Sequence, residues 1–454
     1  MTIMNNGGKM KIFRYVLVLS CLLSVTACGQ KKIPVDSVVF VADEKKISQS
    51  PMVFADTLPF AERVLLDAQE QQKNYAKFKK HFTAAWKQNK PYAGNLAFFR
   101  SYVQVAGEKR GYAENLHRWS DKEYQNLAHN AQYERFPSVA KNALVIKDTS
   151  LRLAPTDKPY FINPKKPGQA YPFDMFQNSI LKTGTAVKVF HLSYDHAWYY
   201  VEAANASGWA HSEHIAFTSP ETEDLWKNAA DYVAVTKDNA LVKSSVLQES
   251  VSLGSVFPLV AENPYGYTVA VPLRSEYGEA RIEHCHISKD AAVKMPLVLT
   301  AGEVARLSEQ LMGNVYGWGG MYNNRDCSST LQDLFTPFGI WLPRNSAQQA
   351  KAGQRIMLTD LSDKEKEERI RAQAVPFQTV LYLPGHIGLY VGQFENKAVM
   401  LHNMWGIRID EFGRFIVGKT VITTLYAGEE LEGFDSSLMS RVQSLTILGK
   451  DDEF

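Results

Sequence analysis

Apolar residues recur at three- and four-residue spacing from Pro59 onward, at Val64, Leu65, Ala68, Tyr75, Phe78, Phe82, Ala85 and Trp86, with Lys and Gln between them. That spacing lines one face of a long helix. Further helical stretches are read in "NLAFFRSYVQVA" and "SDKEYQNLAHNAQ", so roughly 50–135 is expected to be a small helical domain with the aromatics in its core. Before it, residues 31–56 read as an extended tether carrying a short apolar run, "SVVFVA". At "RFPSVAKNALVI" the period changes. "TSLRLAP", "TAVKVFHLSY", "AWYYVEA" and "SGWAHSEHIA" are short alternating strands separated by turn residues, and a similar series recurs in "DYVAVTKDNALVKSS", "VFPLVAEN", "YTVAVPL" and "EARIEHCHIS". Two consecutive small β-barrels fit residues 136–218 and 219–292.

The last region, 293–454, opens with "TAGEVARLSEQLMG", in which Thr300 and Glu303 read as a capping box and Val304, Leu307 and Leu311 share a face. Gly313 ends that helix. A glycine-rich loop leads to a second helix with a buried stripe of Leu331, Leu334, Phe335 and Phe338. "LTDLSDKEKEERIRAQ" reads as a charged, partly helical surface insertion, and "TVLYLPGHIGLYVG" and "KAVMLHNMWGIRI" as strands. The fold class is therefore multidomain α+β, with helices first, two small barrels next and a mixed domain last.

Composition narrows the function. The 454 residues exceed one ordinary core, and 45% apolar with 22% charged residues is the balance of a soluble globular protein. A formal charge of +2 without a basic stripe argues against a nucleic-acid partner. The N-terminus stands apart: Lys11 and Arg14 precede "YVLVLSCLLSVTACGQ", a basic region followed by an apolar stretch of signal-peptide length. "VTAC" resembles a bacterial lipobox, so residues 1–28 are expected to be a lipoprotein signal with Cys28 as the lipidated residue; a plain secretory signal cut near Ala27 is the alternative. A lipid would anchor the chain to a membrane without spanning it. Gly29 stands where such signals carry Asp for inner-membrane retention, which implies the periplasmic side of an outer membrane.

Only Cys285 and Cys327 then remain in the folded body. In an oxidising compartment they could pair. Asp326, however, is a good helix N-cap, which puts Cys327 in the first helical turn, where free N–H groups and the positive helix end favour a thiolate. A nucleophile there needs a base, held by a third group. His386 begins one strand and His402 ends the next; with a loop centred on Phe394 they would be directly opposed on one face, although two unrelated strand histidines would have the same spacing. His284 and His286 flank Cys285 on a strand and face away from it, and His211 and His214 lack cysteine partners, so no zinc spacing emerges.

"YGWGGMYNNRDCSS", "LPRNSAQQ", "PGHIGLYVG" and "LHNMWG" resemble the NlpC/p60 family of papain-like cysteine peptidases, and "SLRLAPTDKPYF", "PFDMFQNSILKTGT" and "WYYVEAANASGWA" resemble the bacterial SH3-like domains of its γ-D-glutamyl-L-diamino acid endopeptidases. The resemblance implies a stabilising helical domain over 29–135, SH3-like barrels over 136–218 and 219–292, and the peptidase domain over 293–454. It implies Cys327 as nucleophile, His386 as base and His402 as third member, with Tyr316, Asp326 and Ser328 lining the substrate site. The implied substrates are peptidoglycan stem peptides beginning L-Ala-γ-D-Glu-diamino acid, whose free amine Asp326 would meet, and no cofactor or metal is implied. The Cys327 N–H and Tyr316 would serve the oxyanion, and aromatics of the first barrel such as Trp198 and Tyr200 are expected near the cleft. A same-fold acyltransferase or amidase and a non-catalytic wall-binding lipoprotein are the competing readings.

Overall fold

A computed structural model describes residues 39–59, 61–92, 110–410 and 413–451. The leader with Cys28, and the expected helix in "NLAFFRSYVQVA", lie outside the described residues. Among the described residues no helix is long and apolar enough to cross a membrane.

Among the described residues four α-helices precede the sheets: α1 (Ala42–Lys46), α2 (Pro51–Asp56), α3 (Ala68–Phe82) and α4 (Asp121–Ala131). The region expected to be tether is thus partly helical. The long helix starts at Ala68 and not at Pro59, because Asp67 and Glu70 form a reciprocal capping box there. Val64, expected on its face, instead bridges Thr300. The described helices share cores with other parts of the chain. Phe54 and Ala55 of α2 join the core of the C-terminal domain. Tyr75 and Phe78 of α3 pack with Tyr232, Val256 and Met295. Tyr124 and Leu127 of α4 join Phe176, Phe190, Trp198 and Trp209. Trp86 is buried beside α3 with its indole N–H donating to the carbonyls of Ala143 and Val187. Burying each large apolar side chain contributes about 1.5–3 kcal/mol, so these helices brace all that follows.

The first sheet contains β1 (Lys141–Val145), β2 (Thr149–Arg152), β3 (Gln177–Leu181), β4 (Ala186–Leu192), β5 (Trp198–Glu202), β6 (Ser207–His211) and β7 (Ile215–Phe217), in the spatial order β3-β2-β6-β5-β4-β1-β7. After α5 (Pro220–Asn228) the second contains β8 (Tyr232–Val235), β9 (Ala240–Lys243), β10 (Gln248–Val251), β11 (Val256–Asn263), β12 (Gly266–Arg274), β13 (Ala280–Ser288) and β14 (Ala292–Lys294). Its order, β10-β9-β13-β12-β11-β8-β14, repeats the first strand for strand. The two alternating series in the sequence are one topology used twice.

In the C-terminal domain α6 (Ala301–Glu309) and α7 (Cys327–Phe335) lie against an antiparallel sheet of β15 (Gly353–Met357), β16 (Thr379–Leu383), β17 (His386–Phe394), β18 (Lys397–Arg408), β19 (Arg414–Thr424) and β20 (Ser444–Leu448), ordered β15-β20-β16-β17-β18-β19. Val304, Leu307, Leu331, Leu334, Phe335 and Phe338 form its core with Ile387, Leu389, Leu401 and Ile422. Thr300 caps α6 by accepting from the Glu303 N–H, but the Glu303 carboxylate pairs with Arg306 and does not complete the box. The charged insertion forms a helix, α9 (Asp363–Gln373), after the short α8 (Ser346–Gln349). That helix is less superficial than its charge suggests: Ile370 is buried and Glu367 accepts from the Ala398 N–H at 2.5 Å.

The outer strand β19 does not leave its edge open. The Gln49 amide donates to the Ile422 carbonyl and accepts from the Ile422 N–H, both at 2.9 Å, and Asp43 accepts from the Thr424 N–H at 2.7 Å. Side chains of the N-terminal strap thereby replace the strand that the sheet lacks on that side.

Candidate active site

Asp326 ends the glycine-rich loop in an extended conformation, accepts from the Ser329 N–H at 2.9 Å, and receives Ser329 Oγ as acceptor for its own N–H. This box starts α7 at Cys327. Both Cys327 and Cys285 are free thiols; Cys285 lies in the core of the second barrel, so the possible disulfide is not formed. The half-buried Cys327 sulfur rests by the backbone N–H groups of Ile387 and Ser328. Burial and the negative charge of Asp326 outweigh those donors and Arg344, and push its thiol up to about 12. Burial and the adjacent carboxylate thus work against the thiolate that the helix start was expected to favour.

Asp326 is held by a residue that the motif "LPRNSAQQ" contained without singling out. Arg344 forms a two-pronged pair with it, Nη2 to Oδ2 at 2.5 Å and Nη1 to Oδ1 at 3.1 Å, donates to Ser328 Oγ at 2.7 Å, and reaches Ser179 of the first barrel through Nε at 3.0 Å. The Gly319 N–H also donates to Asp326, at 3.2 Å. Burial works to raise the Asp326 carboxyl, and Arg344 with Ser329 overcomes it, leaving the group below its ordinary range.

The two histidines meet, but by a different register from the expected one. The hairpin turns at Glu395–Asn396, both with positive φ, so Phe394 pairs with Lys397. From that turn alone, His386 and His402 would point to opposite faces of the sheet. The ladder slips between Tyr390 and Gly392, however, and this bulge at Val391 restores the parity. Beyond it Leu389 pairs with Leu401, which leaves His386 diagonal to His402 rather than opposite it. The imidazoles are still in contact, His386 Nε2 to His402 Nδ1 at 2.7 Å. Burial lowers His386 to about 4, with Arg441 adding to the effect and Asp326 opposing it; burial and the neighbouring His386 lower His402 further. Both rings are neutral at rest.

Gly388 makes the diagonal contact possible. A Cβ there would stand 2.6 Å from Met400 Cγ and 2.8 Å from His402 Cβ. Gly388→Ala should destabilise the protein by about 1–3 kcal/mol through overpacking, read as a shift of the denaturation midpoint. An unchanged midpoint would mean that the hairpin has room the contact distances deny.

The glycine-rich loop is fastened to the first barrel. Gly319 and Gly320 both have positive φ, and a Cβ on either would strike Gln177 or Ile180. Gln177 Nε2 donates to the Gly319 carbonyl at 2.9 Å, and Trp318 Nε1 to the Asp174 carbonyl at 3.1 Å. Phe173 lies against Tyr316, Trp318 and Trp405. Phe173 is thus the barrel aromatic at the site, whereas Trp198 and Tyr200 are buried in the barrel core and not in the cleft. Tyr316 lies close to Asp326 and Cys327; burial first and the Asp326 charge next push its phenol far up, so it is a neutral donor. The structure therefore brings together Cys327, His386, His402, Tyr316, Asp326 and Ser328, and adds Arg344, Phe173 and Trp405. Among the described residues no cluster of three or more His, Cys, Asp or Glu side chains could hold a metal.

A cysteine at the start of a helix packed on an antiparallel sheet, with two histidines in contact on neighbouring strands, is the arrangement of the papain-like class of cysteine peptidases. The chain belongs to the NlpC/P60 family: residues 313–414 match the NlpC/P60 family itself, residues 16–136 its N-terminal stabilising domain, and residues 159–211 the SH3 domain of SH3b1 type. The fold is similar to that of an NlpC/P60 endopeptidase from Photobacterium damselae subsp. piscicida, with TM-score 0.79 and 24% identity over 90% of this chain and 98% of that one. The chain is 27% identical over 206 residues, 43% of its length, to a γ-D-glutamyl-L-lysine dipeptidyl-peptidase of Bacillus subtilis (strain 168), and spans 60% of that relative.

Proposed function

We propose that the protein hydrolyses the bond between γ-D-glutamate and the diamino acid of peptidoglycan stem peptides that carry a free N-terminal L-Ala. The observation that carries this reading is the 2.7 Å contact between His386 and His402 on the strands against which the Cys327 helix packs. Attack is concerted: the Cys327 proton passes to His386 as the sulfur–carbon bond forms and the carbonyl π pair moves to oxygen. The Cys327 N–H and the Tyr316 phenol serve that oxyanion. His386 then protonates the departing amine, the thioester remains, and water activated by His386 releases the acid. Tyr316, Asp326 and Ser328 form the wall that meets the L-Ala-γ-D-Glu end, with Asp326 shared between Arg344 and the incoming amine. Lipidation at Cys28 would hold the enzyme on the periplasmic side of an outer membrane. The named activity of the Bacillus relative supports the bond assignment.

The test is to incubate the soluble protein, without its leader, with L-Ala-γ-D-Glu-meso-diaminopimelate in free and N-acetylated forms, followed by mass spectrometry. Cleavage of the free peptide alone is expected. Equal cleavage of both would remove the amine requirement, and cleavage of neither would turn the reading toward acyl transfer or wall binding.

The depressed His386 gives a pH signature. The acid limb of kcat/KM should lie near pH 4, not near 6.5, since the free base is lost only when the folded imidazole protonates. Stability has the matching sign: it is complete above about 6.5, falls as the unfolded imidazole takes up its proton, and stops falling through this group near 4. An acid limb at 6.5 would contradict the buried, neutral base.

A further inference from the structure

The pair of histidines continues to a third side chain that the sequence motifs do not include. His402 Nε2 lies 3.1 Å from Oγ1 of Thr423, and that hydroxyl lies 2.8 Å from the Thr424 carbonyl. Thr423 is fully buried on β19, and its two chain neighbours are those clamped by Gln49 and Asp43 of the strap.

The directions of these bonds are forced. A carbonyl cannot donate, so the single hydroxyl proton of Thr423 points to Thr424. Thr423 can then only accept from His402, which must carry its proton on Nε2. In the neutral ring this leaves Nδ1 with a lone pair. His386 Nε2, 2.7 Å from that lone pair, must in turn be the protonated nitrogen of its own ring. The lone pair of His386 is thereby left on Nδ1, the ring nitrogen not used by His402.

We propose that Thr423 is a positioning residue that fixes the tautomers of His402 and His386, so that Nδ1 of His386 is the atom that takes the Cys327 proton. Without the acceptor, His402 can move its proton to Nδ1. His386 Nε2 then faces an N–H and must give up its own proton to Nδ1, and the base is lost. This rests on the peptidase reading for its kinetic consequence but not for its hydrogen-bond geometry.

The full chain labelled with ¹⁵N-histidine reports both tautomers through two-bond ¹H–¹⁵N correlation spectra, assigned by comparison with His386→Gln and His402→Gln. At neutral pH both rings should show a protonated Nε2 and a bare Nδ1. In Thr423→Val the His402 signals should move toward a mixture, and kcat should fall about tenfold with KM within about twofold, the scale of one lost buried hydrogen bond. Thr423→Ser keeps the acceptor oxygen and should stay within about twofold of the wild type in kcat, with its tautomers unchanged. A proton on Nδ1 of His402 in the wild type overturns the proposal, as does a valine variant with wild-type spectrum and rate. If the wild type does not cleave the peptide, the functional reading fails while the spectra still decide the tautomers. If the valine variant does not fold, the wild-type and serine spectra decide them.

Discussion

Replacing Cys327 with alanine should lower turnover of L-Ala-γ-D-Glu-meso-diaminopimelate by at least about 10⁴-fold, the scale seen when a covalent nucleophile is removed. The fold should survive, because alanine suits the first turn of α7 and the cap belongs to Asp326 and Ser329. His386, His402 and Tyr316 would all remain, yet no thioester could form, so intact-protein mass spectrometry should show an acylated wild type and an unmodified variant. Activity above about a hundredth of wild type would take Cys327 out of the nucleophile's role.

Arg344→Met should cost about 3–5 kcal/mol of folding stability, the expense of leaving one member of a buried pair uncompensated. Asp326 is only 7% exposed, and Arg344 is also its link to Ser328 and to Ser179 of the first barrel. Removing both charges in Arg344→Met/Asp326→Asn should recover part of the loss. The pair also has a pH signature. With the Asp326 carboxyl held below its ordinary 3.8, its contribution is complete above that value and disappears as pH falls below it. A denaturant titration showing less than about 1 kcal/mol of loss at neutral pH would mean that water relieves the stranded carboxylate.

The parts of the site legible in the sequence were those set by local chemistry. Asp326 before a helical stripe announces a cap, and a cap fixes where Cys327 stands. The two barrels were legible because alternating patterns with turn residues survive whatever they pack against. The histidine pair was anticipated through a register that the hairpin does not use. A centre at Phe394 gave direct opposition, while the real turn at Glu395–Asn396 would have separated the rings had the ladder not slipped at Val391. Nothing in the local residue pattern announces such a slip, because it belongs to the pairing of β17 with β18 and not to either strand alone. Arg344 and Thr423 were missed for a related reason: each acts across a long stretch of chain, Arg344 on Asp326 and Thr423 on His402. The tether reading failed at 42–56 because Asp43 and Gln49 look like ordinary polar surface until the unpaired edge of β19 is placed beside them.

That clamp has a consequence for anyone who isolates the C-terminal domain. A fragment beginning at residue 293 would retain Cys327, His386, His402 and Thr423, and by its list of functional groups it would count as complete. It would also uncover the backbone of Ile422 and Thr424 on an outer strand, a row of hydrogen-bonding groups that the same strand of another molecule can satisfy. Such a fragment would tend to recruit copies of itself. In this chain the two side chains that cover that backbone, Gln49 and Asp43, also clamp the two chain neighbours of Thr423.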